Sequence, residues 1–567
     1  MFRIIKKVFG KKLLGKFDVD EQVLQDFCKA NQKIWNLETG KTTDSKTEKK
    51  AVLTAGAGEG YKKQTLFIGL FMVEKWMPWL EQKLLYAKGI QDKTGIRPIV
   101  TDWEYNENLE KLYASYGFGF LSLKKEMFEN ILGCFYGLFQ AAFFFLFEGT
   151  GKQMIKKKYK GGNIGQFMYD TVIRTNQDIY TIRSARNKIC FKKVFTTYWF
   201  MNSLDKVYKN YRPVCYIFDD LIYDEGMIVE YMRKRVNRVI NCTMDGRMLS
   251  LDNMKGTVHW PDLDKAIMLQ RLKQMSVKER AEYTKQAGAA LEARFQGKNG
   301  DVRDSKAAFT GKKEGNREKL ISVMGLDPQK KNVVFCAHTL SESAHRCSRQ
   351  AYQDTYTWME ETMKYVRNKE NANWIIKVHP VAALKYGEGC VLENLYEKYK
   401  SKNLYLFPDE YNSALVGEIA DVVVTIYGNA GSEYACLGIP VILTGNAIYS
   451  GLGYTTDAFT KEEYERTLDR VEELQTLTEE QKDRAKLVFN YLSRRINQQL
   501  DRFSEKMIEI NWKFDEKMME GSSVKELNTQ TMDFIKEFEK NEDMRNTNYY
   551  LNGADFEVME KSAFIDN

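Results

Sequence analysis

The chain has 567 residues and a formal net charge of +8, with 43% hydrophobic and 29% charged residues, 38 Gly, 8 Pro and 9 Cys. This is too apolar for a disordered chain, too poor in proline for a collagen-like or Pro-rich scaffold, and long enough for two or three globular units. The cysteines are scattered singly with no C-x-x-C, which argues against a disulfide framework or a zinc site and suits a reducing, cytoplasmic compartment.

Residues 1–17, MFRIIKKVFGKKLLGKF, hold Arg3, Lys6, Lys7, Lys11, Lys12 and Lys16 and no acid, with Phe2, Ile5, Phe9 and Leu13 at helical spacing. That pattern predicts an amphipathic helix on an anionic membrane surface; a helix packed on its own domain with a solvated basic face is the alternative. The segment also lacks the uninterrupted apolar stretch and cleavage site of a signal peptide. A linker rich in Thr, Lys and Gly follows over 39–60. QTLFIGLFM (64–72) reads as a strand, 74–87 as a helix, and RPIVTDW (97–103) and YGFGFLSL (116–123) as strands. NILGCFYGLFQAAFFFLF (130–147) has no charged side chain and lies at the lower edge of the roughly 17–25 residues that span a bilayer. A full span here would divide an α/β domain, so a helix that is buried or dips into one leaflet is expected. GKQMIKKKYK (151–160) follows it with five lysines and no acid. The two basic segments carry eleven positive charges, which leaves the rest of the chain slightly acidic and without the broad basic face that nucleic acid requires.

RPVCYIFDD (212–220) reads as the next strand, and 263–320 as a helical, then polar, connection. A second strand–helix alternation follows: NVVFCAH (332–338), NWIIKVHP (373–380), NLYLFP (403–408), DVVVTIYG (421–428) and IPVILTG (439–445). The chain beyond 460 is charged and helical, and its last stretch, from about 541, is expected to be loosely held. Two α/β halves of parallel sheet, with a cleft between them, are predicted. The expected divisions are 1–60 basic helix and linker, 61–275 N-terminal domain with an apolar helical insertion, 276–325 connection, 326–475 C-terminal domain, and 476–567 helices and tail.

In open α/β sheets, ligands bind beyond the carboxyl ends of the strands. Three features fall there in the second half. His379-Pro380 ends a strand, with Lys377 just before it. Gly428, Asn429, Ala430, Gly431 and Ser432 lead from a strand into a helix, where small residues let backbone N–H groups approach a phosphate. Glu433, in that first turn, suits ribose hydroxyls. His338 and His345 lie in a polar loop after another strand. Each also has a plainer role: strand-end histidines serve as structural hydrogen-bonders, G-N-A-G serves close strand–helix packing, and Glu433 serves as a first-turn charge.

NVVFCAHTLSES, YTWMEET, NWIIKVHP, ADVVVTIYGNAGSEYACLGIPVILTG and IYSGLGYT, with GGNIGQFMYDTVIRT and LIYDEGMIVEYMRKR upstream, resemble bacterial capsule and surface-polysaccharide synthesis proteins. Those are GT-B glycosyltransferases related to the capsule Kdo transferases and, more distantly, to CDP-glycerol glycerophosphotransferases. The resemblance implies an α/β GT-B fold: two Rossmann-like domains facing across a cleft, here with an N-terminal amphipathic helix and a C-terminal helical extension. It implies a nucleotide-sugar donor on the C-terminal domain, a lipid-linked saccharide acceptor on the N-terminal one, and placement on the inner face of the cell membrane. Bacterial GT-B sialyltransferases offer a further likeness in Asp224-Glu225-Gly226, His379-Pro380 and the stretch from Thr425 to Ser432. There the acidic motif supplies the base and the histidine contacts the phosphate of CMP. The paired hydroxyls of their third motif are replaced here by Gly-Asn-Ala-Gly-Ser, and Asp-Glu-Gly also reads as a helix cap. Asp170, Asp219 and Asp220 are rival bases. No cofactor or metal is expected, since Asp18 and Asp20 follow no strand. A polyol phosphotransferase and a catalytically silent scaffold are the alternative functions.

Overall fold

The computed structural model describes residues 65–70, 96–103, 107–176, 178–242, 248–251, 259–298, 307–380 and 388–500, with residues 25, 28, 29, 32, 83, 87, 91 and 382 singly. The basic segment 1–17, the Asp18 and Asp20 pair, the linker 39–60, most of the 74–87 helix and the tail from 541 lie outside the described residues.

Two six-stranded sheets organise the chain. The first is built from β1 (Thr65–Leu70), β2 (Arg97–Asp102), β3 (Gly119–Ser122), β4 (Pro213–Phe218), β5 (Arg238–Cys242) and β6 (Met248–Ser250), in the spatial order 3-2-1-4-5-6. Its pairings are parallel except for the last, β5 with β6. The second is built from β7 (Lys331–Cys336), β8 (Ala372–Lys377), β9 (Leu404–Leu406), β10 (Val422–Thr425), β11 (Val441–Leu443) and β12 (Thr455–Asp457), in the order 9-8-7-10-11-12 and parallel throughout. Both repeat one doubly wound, Rossmann-like order, so the ends of β1 and β4, and of β7 and β10, flank topological switch points. The fold is α/β, with two Rossmann-like sheets.

The strand runs VVFC and VVVT contain no polar alternation because both faces of the second sheet are covered. Val334 and Val423 face one apolar core, whereas Val333, Phe335, Val422 and Val424 face the other. The connection belongs to this half: α6 (Trp260–Gln274) and α7 (Val277–Phe295) contribute Met268, Leu272, Ala287 and Leu291 to its core. A capping box of Ser276 and Glu279 starts α7.

Between β3 and β4 the first domain carries a helical insertion. It contains α1 (Ile131–Phe143), a π-turn (Phe144–Glu148), α2 (Gly151–Ile155), α3 (Gly165–Thr175) and the long α4 (Lys188–Tyr211). Asn130 caps α1 by accepting from the Gly133 amide at 3.1 Å, and Trp199 Nε1 on α4 donates to the Asn130 carbonyl at 2.9 Å. Gly165 is dictated by packing: a Cβ there would lie 2.0 Å from the Met154 carbonyl oxygen of α2. That close approach sets α3 in place, and α3 faces the second domain.

Candidate functional site

Three strand ends of the second sheet converge. His338 follows β7, His379 follows β8, and Thr425 to Gly428 end β10. His338 Nε2 lies 2.9 Å from Thr425 Oγ1, and the Tyr427 amide donates to the same nitrogen at 3.5 Å. An amide can only donate, so Nε2 is the acceptor and the ring proton sits on Nδ1. Burial, reinforced by the nearby positive charges of His379 and Arg346, pulls the His338 pKa down to about 3, which keeps the ring neutral at physiological pH. Its ring lies against Tyr427, with centroids 4.6 Å apart.

Gly428 and Gly431 are required by close approach. A Cβ on Gly428 would meet Thr425 Oγ1 at 2.9 Å and the His338 ring at 3.2 Å; one on Gly431 would meet Tyr449 Oη at 2.3 Å. The Tyr449 hydroxyl donates to the Gly428 carbonyl and pins the turn. Beyond it, α8 (Asn429–Ala435) begins with Asn429 exposed, Ala430 half-buried, and Ser432 and Glu433 buried. Glu433 pairs with Arg294 of α7, and as the fifth residue of α8 it lies past the first turn where the sequence reading put it. Lys377 is buried at the end of β8, 3.8 Å from an Asp409 carboxylate oxygen and over the Phe407 ring; burial lowers its pKa against the opposing pull of Asp409. Pro380 ends the same segment, half-buried beside His379.

The first domain meets this region through α3. Asp170 is 2% exposed, and its two oxygens accept from His345, one from Nδ1 at 2.7 Å and the other from the backbone amide at 3.1 Å. Tyr169 stacks edge-on against His345, and its hydroxyl bonds Asp354 of the second domain. His259 Nδ1 sits 3.2 Å from the His345 carbonyl oxygen. Tyr223 closes the wall, its phenol within electrostatic reach of Arg174, Asp170, Glu342 and Asp220, and burial raises its pKa. The loop carrying His345 is held by Glu388, fully buried, which accepts from the amides of Leu340 at 2.6 Å and Ser341 at 2.9 Å.

The acidic motif is placed differently from the expectation. Asp224 opens α5 (Tyr223–Met232), pairs with Lys193 and accepts from Thr171 at 3.0 Å. Asp220 accepts from the next amide, that of Leu221, at 2.7 Å. Glu225 is 1% exposed inside the first domain, with Asp219 and Lys83. Burial and the Asp219 charge raise its pKa well above the usual carboxylate range, and its burial inside the first domain keeps it from a hydroxyl in the cleft. This corrects the catalytic expectation for Glu225. Gly226 is explained by packing: a Cβ there would sit 2.2 Å from the Phe167 ring of α3. The structure thus brings His338, His379, Thr425 and Gly428 together. It also joins Asp170 to His345, and leaves Asp224 and Glu225 in other contacts. Glu388 and His259 carry no motif; their roles arise only from contacts across 48 and 86 residues.

Residues 329–476 match the family model described as capsule polysaccharide biosynthesis protein. No curated protein matches the sequence. Among solved structures, the chain is similar to the β-Kdo 2,4-transferase KpsC of Thermosulfurimonas dismutans, at 14% identity over 48% of this chain and 79% of that one, with a TM-score of 0.29. It is similar to the β-Kdo 2,7-transferase KpsC of the same organism, at 13% identity over 50% and 80% with a TM-score of 0.28. A glycosyltransferase from Rickettsia africae ESF-5 aligns at 11% identity over 80% of this chain and 99% of that one, with a TM-score of 0.26. The strand order and the matched 329–476 segment support a capsule-synthesis, glycosyltransferase-like fold.

Proposed function

We propose that this protein is a glycosyltransferase that moves a sugar from a nucleotide-activated donor to a lipid-linked or growing surface-polysaccharide acceptor. The observation that carries the reading is the contact of Asp170 with His345: a carboxylate–imidazole pair made by two domains, on the side of the cleft where His338, His379 and the Gly428 turn end their strands.

The acceptor oxygen attacks the anomeric carbon of the donor sugar while the bond from that carbon to the phosphate oxygen breaks. The hydroxyl proton passes to His345 Nε2. Asp170 makes this possible by accepting from Nδ1–H, which fixes the tautomer and favours the imidazolium that forms. On the donor side, the neutral His338 offers Nδ1–H to the departing phosphate, and His379 and the amides of Asn429 and Ala430 add further donors. Lys377 and Glu433 bind the nucleoside portion in this scheme. These groups carry the charge neutralisation themselves, so transfer is expected to persist in EDTA; loss of transfer that manganese restores contradicts that part.

The test is incubation of the full-length protein with CMP-, UDP- and CDP-linked donors and an acceptor glycan, reading which donor is consumed. Consumption of a nucleotide sugar with growth of the glycan is the expected result, a CMP-linked donor being the first candidate. Transfer of glycerol phosphate from CDP-glycerol would make the protein a polyol phosphotransferase instead. Consumption of no donor, together with unaltered polymer synthesis in cells carrying His379→Ala and Glu433→Ala, would make it a scaffold.

A further inference from the structure

The insertion of the first domain has an apolar face that nothing in the chain covers among the described residues. Helix α1 and its π-turn form an 18-residue apolar stretch from Ile131 to Glu148. One side is spent on α4: Gly133, Gly137 and Ala141 are buried, and a Cβ on Gly137 would lie 2.6 Å from the Phe195 carbonyl oxygen. The small-residue stripe is therefore already occupied by an internal helix contact. The other side points outward, with Leu132 81%, Phe139 65%, Leu146 64% and Phe147 70% exposed. Ile131, Phe135, Leu138 and Phe143 are exposed beside them, and Ile189 at the start of α4 joins the edge. A soluble surface rarely carries so many contiguous large apolar side chains.

Its rim is basic. Lys152, Lys156, Lys158 and Lys160 are exposed just beyond the π-turn, and Arg186, Lys188 and Lys192 are exposed just before and along the first turns of α4. Lys157 lies over the Phe143 and Phe144 rings, at 5.9 and 5.4 Å, and pairs with Glu148, the acid that ends the apolar stretch. Arg186 Nε donates to the Phe145 carbonyl at 3.0 Å and fastens the π-turn to α4. An apolar plateau edged by lysine and arginine matches an anionic lipid surface in both hydrophobicity and charge. A second copy of this chain would bring like-charged rims together.

We propose that the outer face of α1 and the following π-turn enters one leaflet of an anionic bilayer, with the lysine and arginine rim on the headgroups. A full span does not fit the fold. At ~1.5 Å per residue the stretch reaches about 27 Å, short of the ~30 Å hydrocarbon core, and its inner face is held by α4. Docking is in-plane and shallow. The chain then runs through α2 and a short antiparallel hairpin (158–163) into α3, so the anchor adjoins the wall that bears Asp170. The proposal stands independently of the glycosyl-transfer reading.

The test uses the full-length protein in vesicle flotation, with phosphatidylcholine–phosphatidylglycerol vesicles and with phosphatidylcholine alone. The protein is expected to float with the mixed vesicles. The combined substitution Leu132→Ser, Phe139→Ser and Phe147→Ser should weaken binding on the order of a hundred-fold while leaving thermal unfolding unchanged, because these side chains are exposed in the fold. Lys152→Glu, Lys156→Glu and Lys158→Glu together should abolish the preference for the anionic vesicles. Flotation of the serine variant at the parent's level, or failure of the parent to float, overturns the proposal. A parent that sediments as a dimer and a serine variant that sediments as a monomer, neither binding vesicles, would assign the face to a second copy of the chain.

Discussion

The two sheets share one strand order, yet their carboxyl ends are finished in opposite ways. In the first, the end is filled from within: Lys83 reaches the Asp219 carboxylate at 2.6 Å and the Gly69 carbonyl at 3.0 Å, Asn241 donates to the Asp219 carbonyl at 2.9 Å, and Glu225 fills the space beside them. In the second sheet, the corresponding ends bear His338, His379, Thr425 and a glycine turn, with the Lys377–Asp409 pair at 3.8 Å beside them. The same topology thus yields one end filled by buried charged groups and one lined by histidines, a threonine and a glycine turn. The first domain contributes to the cleft by another route, through α3, which the insertion places against the loop that carries His345.

Substitutions at the two ends should separate these roles. The largest effect is expected where the domains meet: Asp170→Asn and His345→Gln should each lower turnover by about 10²–10⁴ while leaving the unfolding temperature within a few degrees of the parent. Single-turnover rates and calorimetry on the same preparations check this, and an equal loss of stability and rate would reduce the pair to a structural contact. Next is the plug of the first sheet. Lys83→Met leaves Asp219 buried without its partner and should cost about 3–5 kcal/mol in denaturant unfolding, with nucleotide affinity of the surviving folded protein unchanged. A fall in nucleotide affinity instead would mean that the two ends are not independent.

The smallest effect is a pH slope. The His338 pKa is depressed in the folded protein relative to its ordinary 6.5, so between about 3 and 6.5 the unfolded chain binds the extra proton. Stability is therefore present above that window and declines as pH falls through it, by at most about 1.4 kcal/mol per pH unit from this group. Unfolding measured from pH 7 to pH 5 should show a shallower slope for His338→Asn than for the parent; identical slopes would place the titration elsewhere.

The second sheet was largely legible from sequence because its strands are short β-branched runs that end at recognisable punctuation: His379-Pro380 and the Gly428 turn. The apolar run 130–147 was legible as a helix at odds with a soluble interior, but not as a helix with one buried and one open face. That distinction depends on α4, which begins forty residues after the run. The residues of Asp-Glu-Gly are parted for a local reason. A helix start places successive side chains on different faces, so Asp224 went to Lys193, Glu225 went inward, and the glycine served Phe167. The pairing of Asp170 with His345 spans 175 residues and two domains, and no spacing within either segment announces it.

The central claim is that the second domain holds the nucleotide while Asp170 and His345 act on the acceptor. Thermal unfolding with CMP, CDP, UDP and GDP, on the parent, His379→Ala and Asp170→Asn, tests it most directly. One nucleotide at about 100 times its Kd should stabilise the parent and Asp170→Asn alike, by roughly 2.7 kcal/mol, and His379→Ala much less. Stabilisation by none of the four, or loss of it in Asp170→Asn with His379→Ala unaffected, would contradict the division of labour between the two domains.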